Sequence, residues 1–267
     1  MYSRMLPLVL LTIFASLPTH GKDFRFVDST FCPLVCDSTI DGKEGYLIDI
    51  LRDALATKNH TLTFEILPFL RAIMQVRAGE AHALPAIYQS DAPDLIVGET
   101  VIAPGRNVIF ARENFTGQYQ GVESLSKLSI AVILGYTFGN DLIDNYISEA
   151  KKNSNHNVTF IADDKPYERL IQMLMIGRVD AIIDDSTFIY HALSNSSQFD
   201  TSLIKVIGVI SEGENVVAYS PSLPEDSKVL LDIIDPFISD LYDSGGINKY
   251  VAPYGLKFEN NLMLPVD

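Results

Sequence analysis

Hydrophobic and polar positions in this chain switch repeatedly between a helical period and short continuous apolar runs. The clearest stretch is Arg169 to Asp185, RLIQMLMIGRVDAIIDD. Leu170, Ile171, Leu174 and Met175 fall on one face at helical spacing, and Val179 to Ile183 then forms a nearly unbroken apolar run. The pattern predicts a helix, a tight stop and a buried strand. Asp164 is placed to cap the helix, and Pro166 sits in the first turn, where a missing N–H costs nothing. Gly177 is placed to end it in the left-handed conformation. A continuous apolar strand is expected in a parallel sheet covered on both faces. Asp184 and Asp185 follow at its carboxyl end, the edge where open α/β sheets bind ligands.

The same unit occurs earlier. RAIMQVRAGEAHALPA, from Arg71 to Ala86, matches RLIQMLMIGRVDAIID at one constant offset, with Arg71 against Arg169, Ile73 against Ile171, Gly79 against Gly177 and Ala83 against Ala181. A helix–Gly–strand unit used twice suggests two similar α/β lobes. Common helix–Gly–strand grammar is the competing explanation.

The remaining pattern fits the same class. Strands are predicted at 22–29, 62–67, 83–87, 107–111, 129–134, 158–162, 203–210 and 215–220. Helices are predicted at 46–58, from Pro68 onward, at 141–151, at 225–242 and near 247–250. The SEGE segment, 211–214, separates the last two strands, and 89–105 reads as turns with short apolar pieces. Strands alternating with helices define an α/β chain. The alternation restarts near Ser129 and changes again near Glu214. One lobe is therefore expected from 22–111 with 215–267, the other from 112–214, with strands near 107–111 and 215–219 joining them as a hinge.

Composition narrows the setting. The first 21 residues, MYSRMLPLVLLTIFASLPTHG, carry a basic Arg4, an apolar core from Leu6 to Leu17, and small residues Thr19 and Gly21 at cleavage-site spacing. This predicts a cleaved secretory signal peptide and a mature chain starting at Lys22, located in the periplasm. The apolar run is short for a membrane span, and no insertion after processing is expected. The chain has 267 residues and a net charge of −14. Lys and Arg form no cluster, which argues against nucleic acid and anionic lipid as partners. The two cysteines, Cys32 and Cys36, lie in FCPLVC. An exported chain with one close pair is expected to form a disulfide that fixes a local loop. A redox pair normally has Cys-x-x-Cys spacing, and no His-rich segment supports a metal.

With these pieces in place, the chain resembles the extracytoplasmic solute-binding proteins of the polar amino acid type, solute-binding protein family 3. The resemblance rests on FCPLV with EGYLIDILRDAL, PFLRAIMQVRAGEAHA, the GYTFG turn, MLMIGRVDAIIDD, and LYDSGGINKYVAPYGL, in that order. It implies a two-lobed periplasmic-binding-protein type II fold with a two-strand hinge. It also implies capture of a small polar ligand, an amino acid or related amine or carboxylate, between closing lobes. The partner implied is the permease of an ABC importer. A monomer without cofactor or metal is expected.

By matching position, Phe31 and Phe69 fall where the family places stacking aromatics. Thr137 falls in a turn before a helix, where exposed N–H groups and the helix dipole attract a carboxylate. Asp185 matches the acid that pairs with a ligand ammonium, and Asp184 is its neighbour. Tyr88 and Gln89 lie just past the third strand and are further cleft candidates. The arginine that usually follows the third strand is missing: the segment reads IYQSDAPDL, with Arg71 and Arg106 as the nearest substitutes. An α-amino acid ligand is thereby in doubt. Each residue also has a plainer role: Phe31 and Phe69 as core aromatics, Thr137 and one of the two aspartates as helix caps, Arg71 as a surface charge. Catalytic signatures such as His-Glu-x-x-His, Gly-x-Ser-x-Gly and a phosphate loop do not occur. A cyclohexadienyl dehydratase-like enzyme on the same fold and a ligand-sensing module for a membrane receptor are the alternatives.

Overall fold

The computed structural model describes residues 21–153, 157–163 and 165–266. The predicted leader, apart from Gly21, and the Asp164 cap lie outside these residues. Strand β1 (Asp23–Asp28) pairs in parallel with β2 (Thr61–Ile66). Between them come the single turn α1 (Ser38–Asp41) and α2 (Tyr46–Ala56). Leu47, Ile50, Leu51, Ala54 and Leu55 of α2 are buried, as their spacing predicts. Each such leucine or isoleucine contributes about 1.5–3 kcal/mol by leaving water. α3 (Phe69–Ala78) starts after Pro68 and stops at Gly79, whose φ of +78° favours glycine. β3 (Ala83–Ile87) is fully buried.

The long strand β4 (Ile96–Arg112) leads to α4 (Val122–Leu125), β5 (Ile130–Ile133), α5 (Asp141–Lys152) and β6 (Val158–Ile161). Next are α6 (Pro166–Met175), β7 (Ala181–Asp185) and α7 (Ser186–Ser194). A second long strand, β8 (Ile204–Tyr219), is followed by α8 (Pro224–Asp243), α9 (Asn248–Val251) and the hairpin β9 (Leu256–Glu259) with β10 (Leu262–Pro265). The internal match holds to the residue in the strands, since β3 and β7 are related by the same offset that links Arg71 to Arg169.

Eight strands form one sheet in the order β2-β1-β3-β8-β4-β7-β5-β6. β1 to β3 and β5 to β7 occupy opposite ends. β4 and β8 run antiparallel through the middle and pair with each other almost throughout. Two buried apolar clusters flank the first end and two flank the second, as expected when helices cover both faces of a sheet. Among the described residues no helix is long and apolar enough to cross a membrane.

Three local expectations change. The 89–105 segment is mostly strand, because β4 begins at Ile96. SEGE does not interrupt β8: Ser211, Glu212, Gly213 and Glu214 pair with Asn107, Arg106, Gly105 and Pro104. These residues lie where the two strands cross between the covered ends, so no apolar pattern marks them. β7 includes both aspartates, which pair opposite Val108 and Asn107 of β4. α7 and the β9–β10 hairpin are additions that the pattern had not suggested.

Candidate functional site

The carboxyl ends of strands from both halves of the sheet face the crossing of β4 and β8. Tyr88 follows β3 there. Its ring lies against the paired glycines Gly105 and Gly213. A Cβ at Gly213 would lie 2.6 Å from Tyr88 Cε1, and one at Gly105 would lie 2.5 Å from Tyr88 Oη and 3.3 Å from Asp185 Oδ2. Glycine is needed at both positions because the ring occupies the side-chain space. Burial, then the charge of Asp185 and, less strongly, those of Asp91 and Asp184, push the Tyr88 hydroxyl up to about 12. Tyr88 and Asp185 thus meet at Gly105.

The two acids are built differently. Asp185 caps α7: Oδ1 accepts the Thr187 N–H at 2.7 Å, and Oδ2 accepts the Arg106 N–H at 2.7 Å. It is 6% exposed. Burial raises its carboxyl to about 6, partly offset by these backbone donors. Asp184 is 2% exposed. Its Oδ1 accepts the Asp185 N–H at 2.8 Å, and its Oδ2 is buried with no hydrogen-bond partner. Burial, followed by the like charge of Asp185, holds the Asp184 carboxyl well above the usual carboxylate range.

Three aromatic side chains come from the segments that follow β5, β6 and β7. Tyr136 follows β5, Tyr167 is in the first turn of α6 and Phe188 in the first turn of α7. The two tyrosine hydroxyls are 3.3 Å apart, and the Tyr167 and Phe188 ring centroids are 5.3 Å apart at 35°. The charge of Asp184 raises both hydroxyls, after burial as the main cause. Thr137 is exposed in the same turn. Three of the backbone donors leading into α5 are used by the protein. Asn140 caps Ile143, while Asp144 accepts from the N–H groups of Phe138 at 2.8 Å and Asn140 at 3.2 Å.

The first half contributes less polar chemistry. Phe31 is half-buried and closes the disulfide loop through backbone pairing with Val35. Cys32 and Cys36 are bonded, with Cα atoms 4.5 Å apart. Cys32 Sγ is 3.5 Å from His191 Nε2 of α7, whose Nδ1 lies 2.8 Å from the Tyr254 carbonyl. The loop is thus held against the second half. Phe69 packs on the core beside α3, and Arg71 is exposed on that helix. Arg106 offers its backbone to Asp185, and its Nε lies 3.5 Å from Glu212 Oε1 across the strand pair. Gln89 is exposed.

Of the residues singled out from sequence, Tyr88 and Asp185 meet at Gly105, Asp184 is joined to Asp185 through the Asp185 N–H, and Thr137 is exposed in the turn after β5. Among the described residues, no hydrogen bond, ion pair or ring contact joins Phe31, Phe69 or Arg71 to that group. The sequence reading missed Tyr136, Tyr167 and Phe188. Tyr136 was signalled by GYTFG, whereas Tyr167 and Phe188 look like ordinary amphipathic helix positions. It also missed Asp28, fully buried at the end of β1, where Oδ1 accepts the Ser29 N–H at 2.8 Å. A separate cavity of about 870 Å³ borders the crossing and the β9–β10 hairpin, lined by Arg106, Thr187, Gly213, Tyr242 and Met263 among others.

No family model matches the chain, and no curated protein matches it. Solved structures do. An ancestral cationic amino acid solute-binding protein superposes with a TM-score of 0.62 at 17% identity, covering 88% of this chain and 95% of the other. The amino acid ABC transporter substrate-binding protein AbpA from Streptococcus pneumoniae, bound to L-arginine, gives 0.58 at 20% identity over 88% and 94%. A histidine kinase sensor domain similar to periplasmic binding proteins gives 0.60 at 14% identity over 88% and 96%. These similarities define the fold: two lobes of the periplasmic-binding-protein type II kind, with β4 and β8 as the pair of strands running between the two ends of the sheet.

Proposed function

We propose that this chain is an extracytoplasmic solute-binding protein that captures a small polar ligand between its lobes and presents it to the permease of an ABC importer. One observation carries the reading. Tyr88 from one half of the sheet and Asp185 from the other meet at the Gly105–Gly213 crossing of the only two strands that run through both halves among the described residues. The proposed lobes meet inside β4 and β8 near that crossing, a few residues before the boundary at residue 111 expected from sequence. Tyr88, Thr137, Asp184 and Asp185 are the proposed ligand-facing residues, with Phe31, Phe69 and Arg71 on the rim of the first lobe. Export to the periplasm through a cleaved leader completes the reading, and mass spectrometry of the exported protein should find Lys22 or a near neighbour first.

A thermal-shift screen of the mature protein against amino acids, amines, small carboxylates and short peptides tests it. A ligand at 100 times its Kd adds about 2.7 kcal/mol of stability. Stabilisation by one chemical class supports the reading, and no stabilisation by any solute in the panel counts against it.

The likeness to a histidine kinase sensor domain favours a second reading, in which the closed form is presented to a membrane receptor. A permease or a receptor recovered by crosslinking the ligand-loaded protein separates the two. Catalysis is not part of either reading. Incubation with arogenate or prephenate should yield no aromatic product.

A further inference from the structure

We propose that the cavity behind the β4–β8 crossing is a second ligand site, separate from the cleft proposed around Tyr88 and Asp185. It takes a short peptide as a zwitterion, with the peptide carboxylate on Arg106 and its ammonium on Glu214.

Strand alternation separates the two sites. From residue 103 to 107, β4 pairs with β8 without a register shift. Directly opposite residues therefore share a face, and successive pairs point to opposite faces. The side-chain space of the Gly105–Gly213 pair is filled by Tyr88. The Asn107–Ser211 pair lies on that same face, with Asn107 Nδ2 donating to Ser211 Oγ at 3.1 Å. Arg106 with Glu212, and Pro104 with Glu214, point the other way. All four line the cavity of about 870 Å³, whereas Tyr88, Asn107 and Ser211 do not. The rest of its wall comes from α8, the β9–β10 hairpin and the start of α7, so a ligand there touches both halves of the molecule.

Charge and spacing choose the ligand. Arg106 is the one cation among the described lining residues, against Glu212, Glu214 and Asp243. Its Nε is buried without a hydrogen-bond partner. Glu212 Oε1, at 3.5 Å on a side chain 71% exposed, supplies only a loose ion pair. A guanidinium with free donors suits a carboxylate. A simple anion would also face three carboxylates, and a simple cation would face Arg106, so a zwitterion fits both signs. Glu214 lies two residues beyond Glu212 on the same face, about 7 Å along the strand. The charged ends of an α-amino acid are closer together than that, whereas two extended residues span about 7 Å. The volume also accommodates more than a single amino acid. The Tyr242 hydroxyl donates to the Ile102 carbonyl at 2.8 Å, which leaves its ring to the cavity beside Phe258, Leu262 and Met263. That surface suits apolar peptide side chains.

Calorimetry on the mature protein with alanylalanine, leucylleucine and glycylphenylalanine tests this, each beside its N-acetyl and C-terminal amide forms. At least one free dipeptide should bind, and both of its blocked forms should bind at least 10-fold more weakly. Arg106→Gln keeps the backbone N–H that Asp185 accepts and removes the guanidinium. It should weaken the dipeptide by about 10- to 100-fold, the worth of a charge-assisted hydrogen bond. Ser239→Trp, at an exposed position of α8 that lines the cavity, should block the site and serves if Arg106→Gln misfolds. Thr137→Ala, in the proposed cleft, should leave the dipeptide affinity unchanged. An affinity unchanged in either folded cavity variant overturns the inference, as does a loss in Thr137→Ala equal to that in Arg106→Gln. Equal binding of a blocked form, or no binding of any of the three dipeptides, also overturns it. None of these outcomes touches the solute-binding reading, which the wider solute screen decides.

Discussion

Asp185 donates its backbone N–H to Asp184 Oδ1 at 2.8 Å while its own carboxylate accepts from Thr187 and Arg106. The two neighbours thus divide two tasks. Asp185 fixes the start of α7 and ties it to β4, and Asp184 is left with a buried, unpartnered oxygen.

That division predicts opposite effects of the same substitution on the free protein. Asp185→Asn retains a good helix cap at Oδ1 but turns an amide N–H₂ toward the Arg106 N–H. A buried donor left unsatisfied costs about 1–3 kcal/mol, so the variant should be less stable than wild type in urea titrations. Asp184→Asn removes a buried charge and should leave stability unchanged or raised. Equal loss in both would contradict the assignment.

The acids also set a pH dependence. Asp185 titrates at about 6 in the folded protein against 3.8 for the ordinary group, and Asp184 and Asp28 are raised as well. A raised carboxyl pKa means that the folded state binds more protons than the unfolded state between the two values. Stability is then fully present below about pH 4 and falls as pH rises through about 6. For Asp185 alone the shift corresponds to roughly 3 kcal/mol at 1.36 kcal/mol per unit. Chemical denaturation of the ligand-free protein between pH 4 and 7 should show declining stability with rising pH, and Asp184→Asn should flatten the slope. A cationic ligand favours the ionised acid, so its affinity should rise over the same interval.

The contact between Tyr88 and the two hinge glycines is steric. Gly213→Ala would place a methyl 2.6 Å from the Tyr88 ring, and overpacking of this kind costs about 1–3 kcal/mol. Tyr88→Ala in the same chain should relieve most of that cost, giving a non-additive double-mutant cycle. Additive losses would mean that the ring does not rest on Gly213.

The disulfide spans a small loop, so the chain-entropy model allows it about 2 kcal/mol at most. Replacing both cysteines by alanine should cost no more than that. Alkylation of the unfolded, unreduced protein should modify neither Cys32 nor Cys36.

Much of the fold was legible because lobes and helices repeat a local rule. β3 matches its expected limits, and α2, α5, α8 and the α6–Gly177 stop lie within a few residues of theirs, because one buried face or one left-handed glycine defines each. The hinge was harder to read. Glu212 and Glu214 sit in a strand whose middle leaves the covered faces, so polar residues there imitate a turn. α7 had a readable signal in the Asp185 cap with Ile189 and Leu193 behind it. Asn260 and Asn261, both at positive φ, marked the final hairpin. At the site, sequence singled out the acids but not which of them stays unpaired. That depends on the Arg106 backbone, a contact made across the hinge between residues far apart in the chain.

The most direct test of lobe closure is small-angle scattering of the mature protein with and without the ligand that gives the strongest thermal shift. The two-lobed account predicts a smaller radius of gyration at saturation, with the contraction lost when Asp184→Asn is measured at the same ligand concentration. Saturation without any change in the radius of gyration would contradict capture between closing lobes.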